Sequence, residues 1–343
     1  MVRLLLIPIL ICSTQFSPNN VRKVEISFSR KNDLADFDFE DYIYSGVESN
    51  ISYSNTRSSI TMAHLITKTN KYYLKTFNYD ESNEAKYING KYSKTIWDIK
   101  SNNPRKNEYE KDNRININEL SEDLPLSSIG YLEGRKNSRE TRDSTCFLIG
   151  NGLALTAAHC VYDIELNKFY YNINAMFDRG QKRIFSTTIY PTDVYIPNQF
   201  IISKNEEYDW AILKFDEDLT NKLGCLTIAS HQSLYNEYYS SIGFPFDKDE
   251  YSYYESTGFS VKKSEESYYE TYSYCASGMS GGPVIGYYTE VDERDPNVEL
   301  SYEYVVGINS RIVEPDDGSK SYLLTDAIKI NDCIIDLCTT IGE

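Results

Sequence analysis

Leu155-Thr156-Ala157-Ala158-His159-Cys160 is the stretch from which the rest of the chain can be read. A short apolar run ends in two alanines, which leave room for a tight turn, and the turn presents a histidine. The chain has three histidines, His64, His159 and His231, so imidazole chemistry has few candidates. His64 falls in a polar N-terminal stretch, and His231 sits in Ala229-Ser230-His231-Gln232, which reads as a surface loop. Two further segments stand downstream of His159. In Asp209-Trp210-Ala211-Ile212-Leu213 an acid directly precedes an apolar strand, and Ser277-Gly278-Met279-Ser280-Gly281-Gly282-Pro283-Val284 surrounds a serine with glycine.

A serine hydroxyl is a weak nucleophile that needs an adjacent base, and the base needs an acid to hold its tautomer. His159, Asp209 and Ser280 can fill those roles in that order. Asp163, Asp178 and Asp193 are the other acids in range, but they stand in more polar surroundings. Gly278 can take a positive φ and turn its N–H toward the same point as the N–H of Ser280. Two donors so aimed would stabilise a developing oxyanion. Gly281 and Gly282 keep side chains away from an approaching substrate backbone.

The 343 residues suggest about two domains. Hydrophobic residues at 41% and charged residues at 25% exclude wholesale disorder. A net charge of −16 makes nucleic acid an unfavourable partner. Met1-Val2-Arg3 followed by the apolar run Leu4 to Cys12 has the shape of a secretory signal, assigned to residues 1–17. No other segment is apolar for long enough to span a bilayer, so no membrane association is expected after signal removal. Six of the seven cysteines remain beyond Cys12, an even number that suits an oxidising compartment. No CxxC pair occurs and no His sits at zinc-finger spacing, so a structural zinc site is not expected; no metal and no cofactor is assigned. Asn50-Ile51-Ser52 permits N-glycosylation.

Residues 18–110 carry no catalytic motif and read as a pro-segment or an accessory region. Short alternating runs such as Val24 to Phe28 and Tyr72 to Lys75 suggest a few strands there. The charged stretch Asn102 to Glu108, interrupted by Pro104, reads as an exposed linker. From 111 to 343 the pattern changes to short apolar runs punctuated by Gly and Pro, which argue for a β-barrel or sandwich. Ala327, Ile330, Ile334 and Leu337 fall on one helical face, with Thr325-Asp326 as a cap.

In this order LTAAHC, DWAIL and GMSGGPV resemble the three signature blocks of the chymotrypsin-fold (trypsin-like) serine peptidases. Arg114-Ile115-Asn116-Ile117 through Pro125 is similar to the start of mature enzymes in the extracellular glutamyl-endopeptidase-like branch. The resemblance implies an all-β fold of two six-stranded antiparallel β-barrels with the C-terminal helix, preceded by the small N-terminal pro-region. His159, Asp209 and Ser280 would lie in the cleft between the barrels. It implies a secreted, monomeric serine endopeptidase that cuts polypeptides through an acyl-enzyme; the alternative is a catalytically inactive binding module on the same fold. The oxyanion hole would be Gly278 and Ser280, and a Cys146–Cys160 disulfide would pin the turn bearing His159. Cys275, Ala276 and Ser277, facing Asn309, Ser310 and Arg311, would line the specificity pocket. Glutamate-cleaving relatives place a histidine where this chain has Asn309. Met279 replaces the aspartate that trypsin-type enzymes pair with a newly cut N-terminus, so that activation device is absent.

Overall fold

The computed structural model describes residues 43–48, 58–82, 86–90, 112, 114–117, 126–179, 185–230, 239–249, 251–259, 261–292, 295–313 and 324–343. The proposed signal segment, the strand at Val24–Phe28, the linker around Pro104, the Asn50 sequon and His231 lie outside them.

Two large sheets, almost entirely antiparallel, make up the fold. The first runs Ile43–Glu48, Lys71–Tyr79, Ser58–Ile66, Asp193–Pro197, Ala211–Lys214, Leu153–Thr156, Thr141–Gly150, Ile129–Arg135, Tyr171–Arg179, Phe185–Ile189. The second runs Val261–Ser264, Tyr268–Thr271, Leu324–Lys329, Asp295–Val313, Pro283–Asp292, Tyr239–Gly243, Tyr254–Phe259, Ile115–Asn116, with Ile228–Ala229 and Tyr87–Ile88 attached. Sequence pattern and placement agree strand by strand. All four residues of Leu153–Thr156 are buried, as its apolar run requires. In Tyr268–Thr271 half-buried and buried residues alternate, the signature of a strand with one face inward. Phe147, Phe169, Phe177, Phe244 and Tyr253 are among the largest fully buried side chains and share one hydrophobic core.

The first sheet has ten strands where the sequence suggested six. Three of the ten come from the N-terminal region, whose hairpin Ser58–Ile66/Lys71–Tyr79 continues the sheet beyond Asp193–Pro197. The alternating run Tyr72 to Lys75 is indeed a strand within it.

The C-terminal helix is Asp332–Gly342 and buries Ile334, Leu337 and Ile341. It starts later than the apolar spacing suggested. Thr325 and Asp326 belong to the strand Leu324–Lys329, which is paired on both sides with Tyr268–Thr271 and Asp295–Val313, so sheet pairing claims them first. Asn331 caps the helix instead, its Oδ1 accepting from the N–H of Ile334 at 3.0 Å.

The second sheet encloses polar groups as well as apolar ones. Ser240, Ser241, Ser256, Ser273 and Glu255 are all buried. Burial pushes the Glu255 carboxyl up to about 7. Burial, helped by the charge of Glu255, does the same for Glu303.

Candidate active site

The register of the first sheet brings a base and an acid together. Ala211–Lys214 pairs antiparallel with Leu153–Thr156, with Ala211 opposite Thr156. The residues just before Ala211 therefore lie beside those just after Thr156. After Thr156 the chain runs extended through Ala157 and closes one 3-10 turn, Ala158–Cys160, which presents His159. On the other strand a 3-10 turn at Glu206–Tyr208, capped by Asn205, delivers Asp209.

Asp209, 3% exposed, holds His159 at two points. Its Oδ1 accepts from the backbone N–H of His159 at 2.9 Å, and its Oδ2 lies 2.7 Å from Nδ1 of the ring. Ser310 Oγ donates to the same Oδ2 at 2.5 Å. Burial pushes the Asp209 carboxyl up, but the charge of His159 and hydrogen bonds from His159 and Ser310 outweigh it and hold the carboxyl below its ordinary value. Burial works to lower the imidazole pKa, and the Asp209 carboxylate overrides it, so His159 sits above its ordinary value. Buried charges persist only when paired in this way.

The turn around Ser280 is built by glycine and by one threonine. Gly278 has φ +96°, and a Cβ there would stand 2.2 Å from the carbonyl oxygen of Phe244. Gly281, with φ +81°, would meet Thr156 Oγ1 at 2.1 Å. Thr145 ties this turn to the first sheet: its N–H donates to Ser280 O at 2.9 Å and its Oγ1 to Gly278 O at 2.8 Å. Its own carbonyl accepts from Thr156 Oγ1 at 2.7 Å, three residues before His159. Thr145 thus fixes both halves of the site. Sequence reasoning passed over it, although it directly precedes Cys146.

His159, Asp209 and Ser280 all line one cavity of about 510 Å³, and so do Cys275, Ala276, Ser277, Asn309, Ser310 and Arg311. The hydroxyl of Ser280 donates to the Ser310 carbonyl at 3.3 Å, not to His159. Asn309 is 2% exposed, with its side-chain N–H₂ on Ser241 Oγ. Arg311 is not a free cation: Nε holds Asp326 Oδ2 at 2.8 Å, and Glu206 pairs with the same guanidinium. The other candidate acids are engaged elsewhere. Asp163 pairs with Lys136, Asp193 with His64, and Asp178 bonds Ser186.

The expected Cys146–Cys160 bridge is not formed. Both are buried thiols outside any disulfide, and Cys225, Cys275, Cys333 and Cys338 are buried and unbridged as well. Cys160 Sγ is instead 3.7 Å from Nε2 of His159. Cys275 Sγ is 3.0 Å from Ser273 Oγ. Cys333 and Cys338 stand five apart on one helix, which points them to different sides.

Asp209 is buried, while His159 and Ser280 are half-buried and open on the same cleft. Residues 144–291, which hold all three blocks, match the family model for the trypsin-like peptidase domain. That stretch is similar to a trypsin-like peptidase domain. Among solved structures, a Glu endopeptidase in complex with MPD superposes with a TM-score of 0.54 at 19% identity, covering 68% of this chain and 97% of that one. The described residues thus have the chymotrypsin-like fold that the sequence blocks implied. The protease Anisep from Arthrobacter nicotinovorans aligns with a TM-score of 0.48 at 14% identity, over 64% of this chain and 98% of its own. No curated protein matches the chain.

Proposed function

We propose that the protein is a secreted serine endopeptidase in which Ser280 is the nucleophile, His159 the general base and Asp209 the residue that orients it. The observation that carries this reading is the hydrogen-bonded relay Ser310–Asp209–His159, opening on the same cavity as Ser280. Ser280 Oγ attacks the scissile carbonyl as His159 Nε2 takes its proton. The N–H groups of Gly278 and Ser280 receive the oxyanion. His159 then returns the proton to the leaving amine, and water repeats the sequence on the acyl-enzyme. Asp209 keeps the proton-bearing Nδ1 turned inward and stabilises the imidazolium that forms. The polypeptide substrate would lie along the Asn309–Arg311 edge, its side chain entering between that edge and Cys275–Ser277.

Secretion rests on the apolar run near the N-terminus. The unlinked thiols lend it no support, and no helix among the described residues is long and apolar enough to cross a membrane. One observation favours the inactive-module reading: the Ser280 hydroxyl is bonded to Ser310 O rather than to the base. In unliganded sites this bond is commonly long and tightens as substrate binds. A peptide-library cleavage assay decides between the two. The intact chain cuts and Ser280→Ala does not; equal cleavage by both would refute the assignment, and cleavage by neither would favour the binding module.

A further inference from the structure

The N-terminal hairpin occupies a position that a discarded pro-segment would leave costly to vacate. Ser58–Ile66 lies along the edge of Asp193–Pro197, in register from Ile66 opposite Asp193 to Met62 opposite Pro197. Met62, Ala63 and Leu65 are fully buried, so both faces of the strand are covered. The helix Asn198–Ser203 packs on this strand, and the C-terminal helix packs on its partner Lys71–Tyr79. His64 stacks on Tyr195 with ring centroids 4.2 Å apart, and its Nε2 is 2.8 Å from Asp193 Oδ1. Without the hairpin, Val194 and Ile196 would stand on an open sheet edge, a site of aberrant pairing.

Beyond the hairpin the chain crosses to the other sheet. The N–H of Asp80 donates to Asp336 Oδ2 at 2.9 Å and that of Ser82 to Asp332 Oδ2 at 2.7 Å, both on the C-terminal helix. Lys86 Nζ holds both oxygens of Asp336, at 2.9 and 2.8 Å. Tyr87–Ile88 then pairs with Ile228–Ala229 of the second sheet. Gly90 comes so close to the backbone there that a Cβ would lie 2.5 Å from the carbonyl oxygen of Cys225. None of these residues lines the cavity that holds Ser280. The segment therefore joins both sheets and the C-terminal helix while leaving the cleft open.

We propose that residues 58–90 are a retained part of the peptidase, a strap that stays bound when the chain is cut in the stretch 102–111. Processing at that polar, Pro-interrupted stretch would then yield two chains held together without a covalent link. The strap's ligand is the remainder of this same chain: the sheet edge at Asp193–Pro197, the helix carboxylates Asp332 and Asp336, and the strand Ile228–Ala229. This inference does not depend on catalysis.

The test uses the full chain carrying Ser280→Ala, so that it cannot digest itself, with a recognition sequence for a site-specific protease inserted after Asn103. After cutting, denaturing electrophoresis separates two pieces, while native size exclusion elutes them as one species. Separate elution, with the C-terminal piece remaining a folded monomer, overturns the proposal. A second chain carrying Gly90→Ala probes the docking itself. Its N-terminal piece is expected to leave at least tenfold faster after cutting, and retention equal to that of the unaltered chain would contradict the described contact.

Discussion

Gly278→Ala puts the described geometry of the nucleophile turn under direct strain. At φ +96° an L-residue is in a region that costs about 1–3 kcal/mol. The new methyl would also sit 2.2 Å from Phe244 O and 2.7 Å from the Phe246 ring. Carbon and oxygen need roughly 1 Å more than that, so the peptide must rotate away from its position. The rotation takes the N–H of residue 278 off the point where the oxyanion forms. Strain alone lowers Tm by roughly 2–12 °C at the usual few degrees per kcal/mol for a domain of this size. Loss of one oxyanion donor lowers kcat roughly 10²–10³-fold. KM should hardly move, because that hydrogen bond is made in the transition state and not with bound substrate. Thermal melts and steady-state kinetics on a cleaved peptide measure the two effects separately. A folded Gly278→Ala protein with unchanged turnover would refute the assignment of that N–H to the oxyanion and the close packing behind it.

Four other outcomes follow from particular side chains. Only the neutral imidazole accepts the Ser280 proton, and Asp209 holds the His159 pKa up, so kcat/KM falls as pH drops through a midpoint above about 6.5. Ser310→Ala removes a hydrogen bond to a buried carboxylate worth about 1.5–3 kcal/mol; a pH–rate profile should show a loss of up to roughly 150-fold and a midpoint no lower than before. Glu255→Gln stabilises the fold at alkaline pH. The carboxyl is held near 7 when folded against about 4.3 when unfolded, so folding favours its neutral form and the fold loses roughly 3 kcal/mol as pH rises from about 4 to just above 7. Melts at pH 4 and pH 9 check this: the variant should gain far more at the higher pH. Alkylation of denatured, unreduced protein followed by mass analysis should modify both Cys146 and Cys160; protection of the two together would mean that they are linked.

What could be read from the sequence was chemistry packed into short stretches. His159, Asp209 and Ser280 were legible because each stands in a block whose neighbours have a mechanical purpose: small alanines under a turn, an apolar strand after an acid, glycines where φ must be positive. All three were found lining one cavity. The rest depends on partners remote in sequence. Nothing local in Ser58–Ile66 says that it pairs with Asp193–Pro197, more than a hundred residues away, so the hairpin read as separate from the peptidase. Thr145 looks like any strand threonine until its hydrogen bonds to Gly278, Ser280 and Thr156 link the two halves of the site. Thr325 and Asp326 looked like a helix cap because capping residues are also good strand residues when a ladder is offered on both sides. An even cysteine count suggested bridges, but number alone does not set geometry, and the described cysteines are buried without a bridge between them.

The central claim is that folding activates one serine among many. A fluorophosphonate probe reports this directly, since it modifies a serine only where a base and an oxyanion site converge on it. The account predicts a single adduct that maps to Ser280, disappears in Ser280→Ala and is strongly slowed in His159→Ala. A folded protein that takes up no probe, or carries the adduct on another residue, would contradict it.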